Sequence, residues 1–232
     1  MMIVLSLGAI FVGWWVCTAL LPTCRSKYLG VNTPLSGEQP ELILSFDDGP
    51  DECYTPQLLD LLDRYQVKAI FFVLGEKALQ CPALLERMKK SGHHVGVHGF
   101  SHHQTLFYPY RQCRRDLESA LSIVRSCGCV GRYYRPPHGC VNLGLLHLLK
   151  TCGLRLLLWT VMVQDWQADA TSEIILSRLR SRCHPGSLIC LHDCGVGTGG
   201  APGAPGRMIA ALETFIPEMM NKGYRFVLPN EE

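Results

Sequence analysis

The chain has 232 residues, 47% of them hydrophobic and 18% charged, with a formal net charge of +2. That size and balance suit one globular domain burying roughly 70% of its unfolded surface, and the lack of any long basic run excludes a nucleic-acid partner. Twelve cysteines are scattered along it; Cys127-Gly128-Cys129 is tighter than zinc-type CxxC spacing and no second pair answers it, so most read as small buried hydrophobes and no disulfide is assigned.

Met2 to Leu21 carries no charged side chain, and as a helix it would be about 30 Å long, enough to cross the hydrocarbon core of a bilayer. It holds Trp14 and Trp15, stops at Pro22, and is followed by Arg25 and Lys27. With no basic stretch before it and no small-x-small cleavage site, residues 1–27 read as a retained single-pass anchor or uncleaved signal. The positive flank after the segment points to a cytoplasmic domain by the positive-inside rule. Residues 28–40, with Gly30, Pro34, Ser36, Gly37 and Pro40, make a linker, and residues 41–232 make the domain.

From Glu41 onward strand and helix patterns alternate. Leu42 to Phe46 is a short apolar run that ends in Asp47 and Asp48 and is stopped by Gly49-Pro50. A helix follows from about Thr55 to Tyr65, then a strand from Ala69 to Leu74. Pro82 opens a helix that runs to Lys90, and Val95 to His98 is a strand. Arg111 to Ser126 is a long helix, and Tyr133-Tyr134 leads into Arg135-Pro136-Pro137-His138-Gly139. Leu143 to Thr151 is a helix, and Leu154 to Val163 reads as one near-continuous strand region buried on both faces. Helices at Ser172–Arg182 and Arg207–Asn221 flank a strand from Ser187 to Leu191, and Tyr224 to Leu228 closes as a strand. Gly195 to Gly206 is a Gly/Ala/Pro loop. Such βα repetition predicts a parallel α/β architecture whose sites lie at the strand carboxyl ends.

The polar residues cluster at those ends. Two adjacent carboxylates are costly unless a cation or proton sits between them, so Asp47-Asp48 is either a metal-facing pair or a plain turn. His98 and His102 can converge on one metal with Asp48 as third ligand. A zincin helix is disfavoured because Gly99 stands where its Glu would be. A two-His-one-carboxylate set also fits Fe(II), but the spare Asp47 is better explained by hydrolysis, which needs a base for water. Leu188 to Asp193 repeats the opening design, with His192 as proton donor. Asp165-Trp166 offers a carboxylate to orient an imidazole and an aromatic wall. Arg135, stiffened by two prolines, can hold a carboxylate in a forked hydrogen bond.

Ser-Phe-Asp-Asp-Gly-Pro, His-Gly-Phe-Ser-His, Arg-Pro-Pro-His-Gly, Asp-Trp and Leu-His-Asp occur in that order. Together they resemble the NodB-homology polysaccharide deacetylases, carbohydrate esterase family 4, from about Glu41 to Leu228. The resemblance implies a distorted (β/α) barrel carrying a divalent metal, usually zinc, held by Asp48, His98 and His102. By the same resemblance Asp47 is the base, His192 the acid, Arg135 orients Asp47 and Asp165 tunes His192. The His138 backbone N–H helps hold the oxyanion, and Trp166, Cys190 and Leu191 contact the acyl group. Three positions depart from the family pattern: Met162 replaces an Asp, Gly99 a Ser or Thr, and Cys190 a Leu. The expectation is a membrane-anchored N-deacetylase of N-acetylglucosamine polymers or oligomers, chitin-like or peptidoglycan-like, with an extracytoplasmic domain by family analogy. The alternatives are a deacylase of a lipid-linked or small amino sugar at the membrane, and an inactive carbohydrate-binding domain.

Overall fold

The computed structural model describes Gly13, residues 15–28, Leu35 and residues 37–229. Most of the apolar run Met2–Leu21 lies outside the described residues, and among those described no helix is long and apolar enough to cross a membrane. A short π-helix, Val16–Leu20, leads directly into α1, Leu21–Tyr28. This segment lies against the domain: Trp15 stacks on Phe107 with ring centroids 5.7 Å apart, and Ala19 is buried.

The strands are β1 Glu41–Asp47, β2 Ile70–Val73, β3 His94–Val97, β4 Tyr133–Tyr134, β5 Arg155–Leu156, β6 Val161–Met162, β7 Ser187–His192 and β8 Arg225–Phe226. The helices after α1 are α2 Tyr54–Arg64, α3 Gly75–Gln80, α4 Pro82–Lys90, α5 Tyr110–Ser126, α6 Leu143–Thr151, α7 Ser172–Arg182 and α8 Ala204–Asn221. All strand pairings are parallel, in the order β5-β4-β3-β2-β1-β7-β6, with β8 beside β1. Between most successive strands a helix packs back on the sheet, as parallel crossovers require.

The run Leu154–Val163 is not one strand. β5 and β6 lie at opposite edges of the path, joined by only residues 157–160. A bridge that short brings the two edges together, so the sheet must curl into an incomplete barrel. The run breaks because Arg135 draws off its carbonyls, with Nε donating to Leu157 O at 3.0 Å and Nη2 to Leu158 O at 2.7 Å.

Strand alternation then sorts every side chain. Leu42, Leu44, Phe46, Phe71, Val73, Ile189 and Leu191 face the helices and form the main core. Ile43, Ile70, Phe72, Tyr133, Leu157 and Leu188 fill the inside of the curl. Continuing that inner face upward along β1 and β7 gives Ser45, Asp47, Cys190 and His192, so the catalytic candidates rise from a plug of apolar side chains. All twelve cysteines are free thiols, five buried, four partly buried and three exposed, fewer in the core than the composition implied.

Candidate active site

The register of β1 against β7 aligns Asp47 directly with His192. Two neighbouring parallel strands thus present a carboxylate and an imidazole side by side at their carboxyl ends. Asp48, the next residue, adopts a left-handed backbone with φ 75°. That conformation is uncommon outside glycine and asparagine or aspartate, and it turns Asp48 into the same cleft as Asp47 instead of to the opposite face.

Asp48 Oδ1 is 3.4 Å from His98 Nε2 and 3.2 Å from His102 Nε2. The oxygen is buried with no hydrogen-bond partner. His98 Nδ1 donates to the Arg135 carbonyl at 2.7 Å; a carbonyl only accepts, so Nδ1 carries a proton and the neutral ring would turn the lone pair of Nε2 toward Asp48. Burial lowers His102 to about 4 against the attraction of Asp48, with His98 and His138 acting in the same direction as burial, so its ring is neutral at pH 7. Burial opposes the Asp48 carboxylate too, but the proximity of His98, with His192 and His102, holds it well below the usual carboxylate range. One carboxylate and two imidazoles converge on one point. An orphaned buried oxygen facing two imidazole nitrogens is the donor set of a divalent cation, and these residues fit zinc or a similar ion. A second grouping, Asp47, Cys190 and His192, also has ligand atoms within 4.8 Å of one another. Its members are already engaged, which makes the Asp48–His98–His102 set the better metal centre.

Asp47 has both oxygens held. Oδ1 accepts from Arg135 Nη1 at 2.7 Å, and Oδ2 accepts from the Cys190 thiol at 3.3 Å. Arg135 is fully buried and lies over the Phe72 ring at 4.1 Å, which has room because Gly96 opposes it. The expected fork does not form: only Nη1 reaches Asp47, while the other donors are committed to Leu157 and Leu158, and Nη1 also reaches Ser45 Oγ at 2.9 Å. Arg135 is therefore a clasp between the two sheet edges as well as a support for the base.

Opposite the metal set, Asp165 holds His192 twice. Oδ2 accepts the His192 backbone N–H at 2.8 Å and Oδ1 pairs with ring Nδ1 at 3.0 Å. Burial disfavours the imidazolium, but the charge and hydrogen bond of Asp165, with Asp48 and Asp47 behind them, prevail and raise His192 to about 9. Trp166 meets the His192 ring edge to face at 4.9 Å.

Asp47, Asp48, His98, His102, His138, Trp159, Met162, Trp166 and His192 line one cavity of about 330 Å³, together with Lys27 and the Thr198-Gly199-Gly200 stretch. His138 sits at φ 57° on the turn before α6. Cys190 and Leu191 do not touch this space. Cys190 is wholly buried beneath Asp47, and strand alternation turns Leu191 into the core. Lys27, Trp159 and the glycine loop escaped the sequence reading, although a loop at the carboxyl end of a parallel strand is itself a signal. The Gly99 departure has a local cause. Its φ is 89°, and a Cβ there would come within 2.9 Å of the Asp116 carboxylate, which caps the loop by accepting from Phe100 N at 3.1 Å.

A family model described as polysaccharide deacetylase matches residues 36–157. The chain is 30% identical over 192 residues to a peptidoglycan-N-acetylglucosamine deacetylase of Bacillus cereus, covering 82% of this chain and 86% of that one. It is 34% identical over 200 residues to a chitooligosaccharide deacetylase of Sinorhizobium fredii, covering 82% and 91%. Among solved structures, a peptidoglycan N-acetylglucosamine deacetylase superposes with TM-score 0.76 at 29% identity over 83% of this chain and 87% of that one. A family 4 acetyl xylan esterase from Clostridium thermocellum, bound to cobalt, gives 0.73 at 28% identity over 81% and 87%.

Proposed function

The chain belongs to the polysaccharide deacetylase family of hydrolases, and from that premise we propose that it removes N-acetyl groups from N-acetylglucosamine-containing polysaccharide or oligosaccharide. The observation that carries this reading is the placement of Asp47 and His192 on aligned strand positions beside the Asp48–His98–His102 set. A divalent cation held by those three residues would supply Lewis-acid polarisation of the amide carbonyl and make water more acidic. Asp47, fixed by Arg135 and Cys190, takes a proton from the attacking water. As the carbon–nitrogen bond breaks, the departing nitrogen must be protonated, because an amide anion is too poor a leaving group. His192 donates that proton and Asp165 stabilises its charged form beforehand. Water is consumed, and acetate and a free amine are released.

The two departures near the acyl pocket fit this chemistry. Met162 lines the cavity with an apolar side chain suited to a methyl group, and Cys190 supports the base from below. Because Trp15 and Ala19 pack on the domain, a membrane tether would rest on the charge-free residues that precede Trp15, with the domain outside the cytoplasm by analogy with the peptidoglycan deacetylases. A reporter fused after residue 232 tests the side, and reporter activity only in the cytoplasm would contradict it. The reaction is tested by acetate release from a chitooligosaccharide. The zinc-loaded protein is expected to release acetate, while Asp47→Asn abolishes release and keeps its zinc. Unchanged release by that variant would remove Asp47 from the mechanism.

A further inference from the structure

The N-terminal helix α1 forms part of the cleft wall, and one of its side chains carries charge into a site built for a largely neutral sugar. Thr23, buried, donates through Oγ1 to Val141 O at 2.7 Å and accepts from Val141 N at 3.0 Å. That reciprocal pair ties α1 to the chain just after Arg135-Pro136-Pro137-His138-Gly139. Lys27 lies four residues on, so it projects from the same helix face one turn later. Its stem closes over Gly139: a Cβ at that glycine would come within 2.9 Å of Lys27 Cε and 2.7 Å of Trp159 Cη2. Gly139 has φ 65° and no side chain, so the loop lets the lysine and the tryptophan approach from either side. Lys27 lines the catalytic cavity beside His138 and Trp159, is partly buried, and forms no ion pair among the described residues.

An ammonium in the cavity wall with no carboxylate paired to it is free to attract an anionic group on a ligand. The two carboxylates on the cavity floor do not serve: Asp47 is matched by Arg135 and Asp48 faces two imidazoles. Neutral acetamido sugars are bound by hydrogen bonds and aromatic faces and need no fixed charge there. We propose that Lys27 is a specificity-determining residue which receives an anionic substituent, a carboxylate or a phosphate, attached beside the N-acetylated sugar in the cleft. Lysine presents a compact point charge without a fork and suits either group. The inference rests on the deacetylase reading for the identity of the sugar, and it deepens that reading by adding the charge of the substrate.

The competing role is structural, with the aliphatic stem merely covering Gly139 and Trp159. Lys27→Met separates the two, because it keeps the stem and removes the charge. Equilibrium binding is measured on the full-length, zinc-loaded Asp47→Asn protein with and without Lys27→Met. The ligands are neutral chitobiose, N-acetylglucosamine linked to N-acetylmuramic acid, and N-acetylglucosamine 1-phosphate. The expected result is a roughly tenfold fall in the ratio of anionic to neutral affinity on losing Lys27, for at least one of the two anions, as for a hydrogen bond to a charged group. Loss with the muramic acid ligand alone identifies a wall carboxylate, and loss with the phosphate alone identifies a sugar phosphate. A ratio unchanged for both anions, whatever the absolute affinities do, overturns the proposal. Absence of acetate release by the unmodified protein on every one of these compounds would instead contradict the deacetylase reading, and the binding ratios would still decide the role of Lys27.

Discussion

The two sides of the cleft hold the same kind of side chain in opposite states. On one side His98, His102 and His138 crowd together, with ring centroids 5.4 and 4.6 Å apart along the series, around Asp48, with Asp47 Oδ2 4.0 Å from His98 Nε2. On the other His192 has Asp165 to itself, by two contacts, with Asp47 and Asp48 adding their charge. Burial acts on both sides against a charged ring. It prevails over His102, lowered to about 4, and is overcome at His192, raised to about 9. Burial therefore sets the neutral ring of His102, and the carboxylates around His192 override it there, which suits the first to a ligand's part and the second to an acid's.

The largest effect should come from the neutral side. His102→Ala removes one of three proposed ligands, and elemental analysis is expected to show most of the metal lost and acetate release lost with it; full metal content would break the comparison there. Next, Asp165→Asn takes away the partner that charges His192. The alkaline limb of the kcat profile, expected near pH 9 in the unmodified protein, should move toward the ordinary histidine range, with kcat at pH 8 falling roughly tenfold or more. The sign for stability runs the same way. The folded pKa lies above the unfolded value, so the His192–Asp165 pair contributes fully below about pH 6.5 and fades as pH rises through about 9. An alkaline limb that stays in place would show that His192 owes its charge to something else.

Arg135→Met sharpens the comparison by leaving Asp47 buried without its cation and the edge carbonyls of Leu157 and Leu158 without donors. Urea unfolding should show a loss of about 3–5 kcal/mol, as for breaking a buried pair from one side. The smallest effect belongs to His93, a buried histidine outside the cleft. Its Nδ1 accepts from Ala69 N at 3.2 Å, and burial, aided by the charge of Lys68, lowers it to about 4. Its folded pKa is depressed, so stability is full above about pH 6.5 and declines as pH falls toward 4. His93→Asn, which can still accept from Ala69, should flatten the fall in urea midpoint between pH 7 and 5; an unchanged slope would assign the acid sensitivity elsewhere.

Much of this was legible in the chain. Five short motifs marked the strand ends, and the parallel α/β pattern predicted that those ends would meet. Helices bounded by strong local signals came out within a few residues, as at Pro82–Lys90 and Ser172–Arg182. What was not legible depended on partners distant in sequence. The apolar run 154–163 looks like one strand until Arg135, some 20 residues earlier, takes two of its carbonyls. The resemblance put Leu191 on the acyl group, yet its neighbours on both sides face inward and alternation turns it into the core. Gly99 looked like a lost hydroxyl, and its reason is Asp116 on another element. Lys27 was hidden because it adjoins an apolar run whose hydropathy dominates any reading of that segment.

The most direct test of the account is His192→Gln, assayed for bound metal and acetate release in the same preparation. The account predicts a full complement of metal with acetate release reduced by about 10²–10⁴-fold, the range for losing a general acid. Metal lost together with activity would make His192 a ligand, and activity retained would leave the leaving nitrogen with another proton donor; either result would contradict the division of the cleft described above.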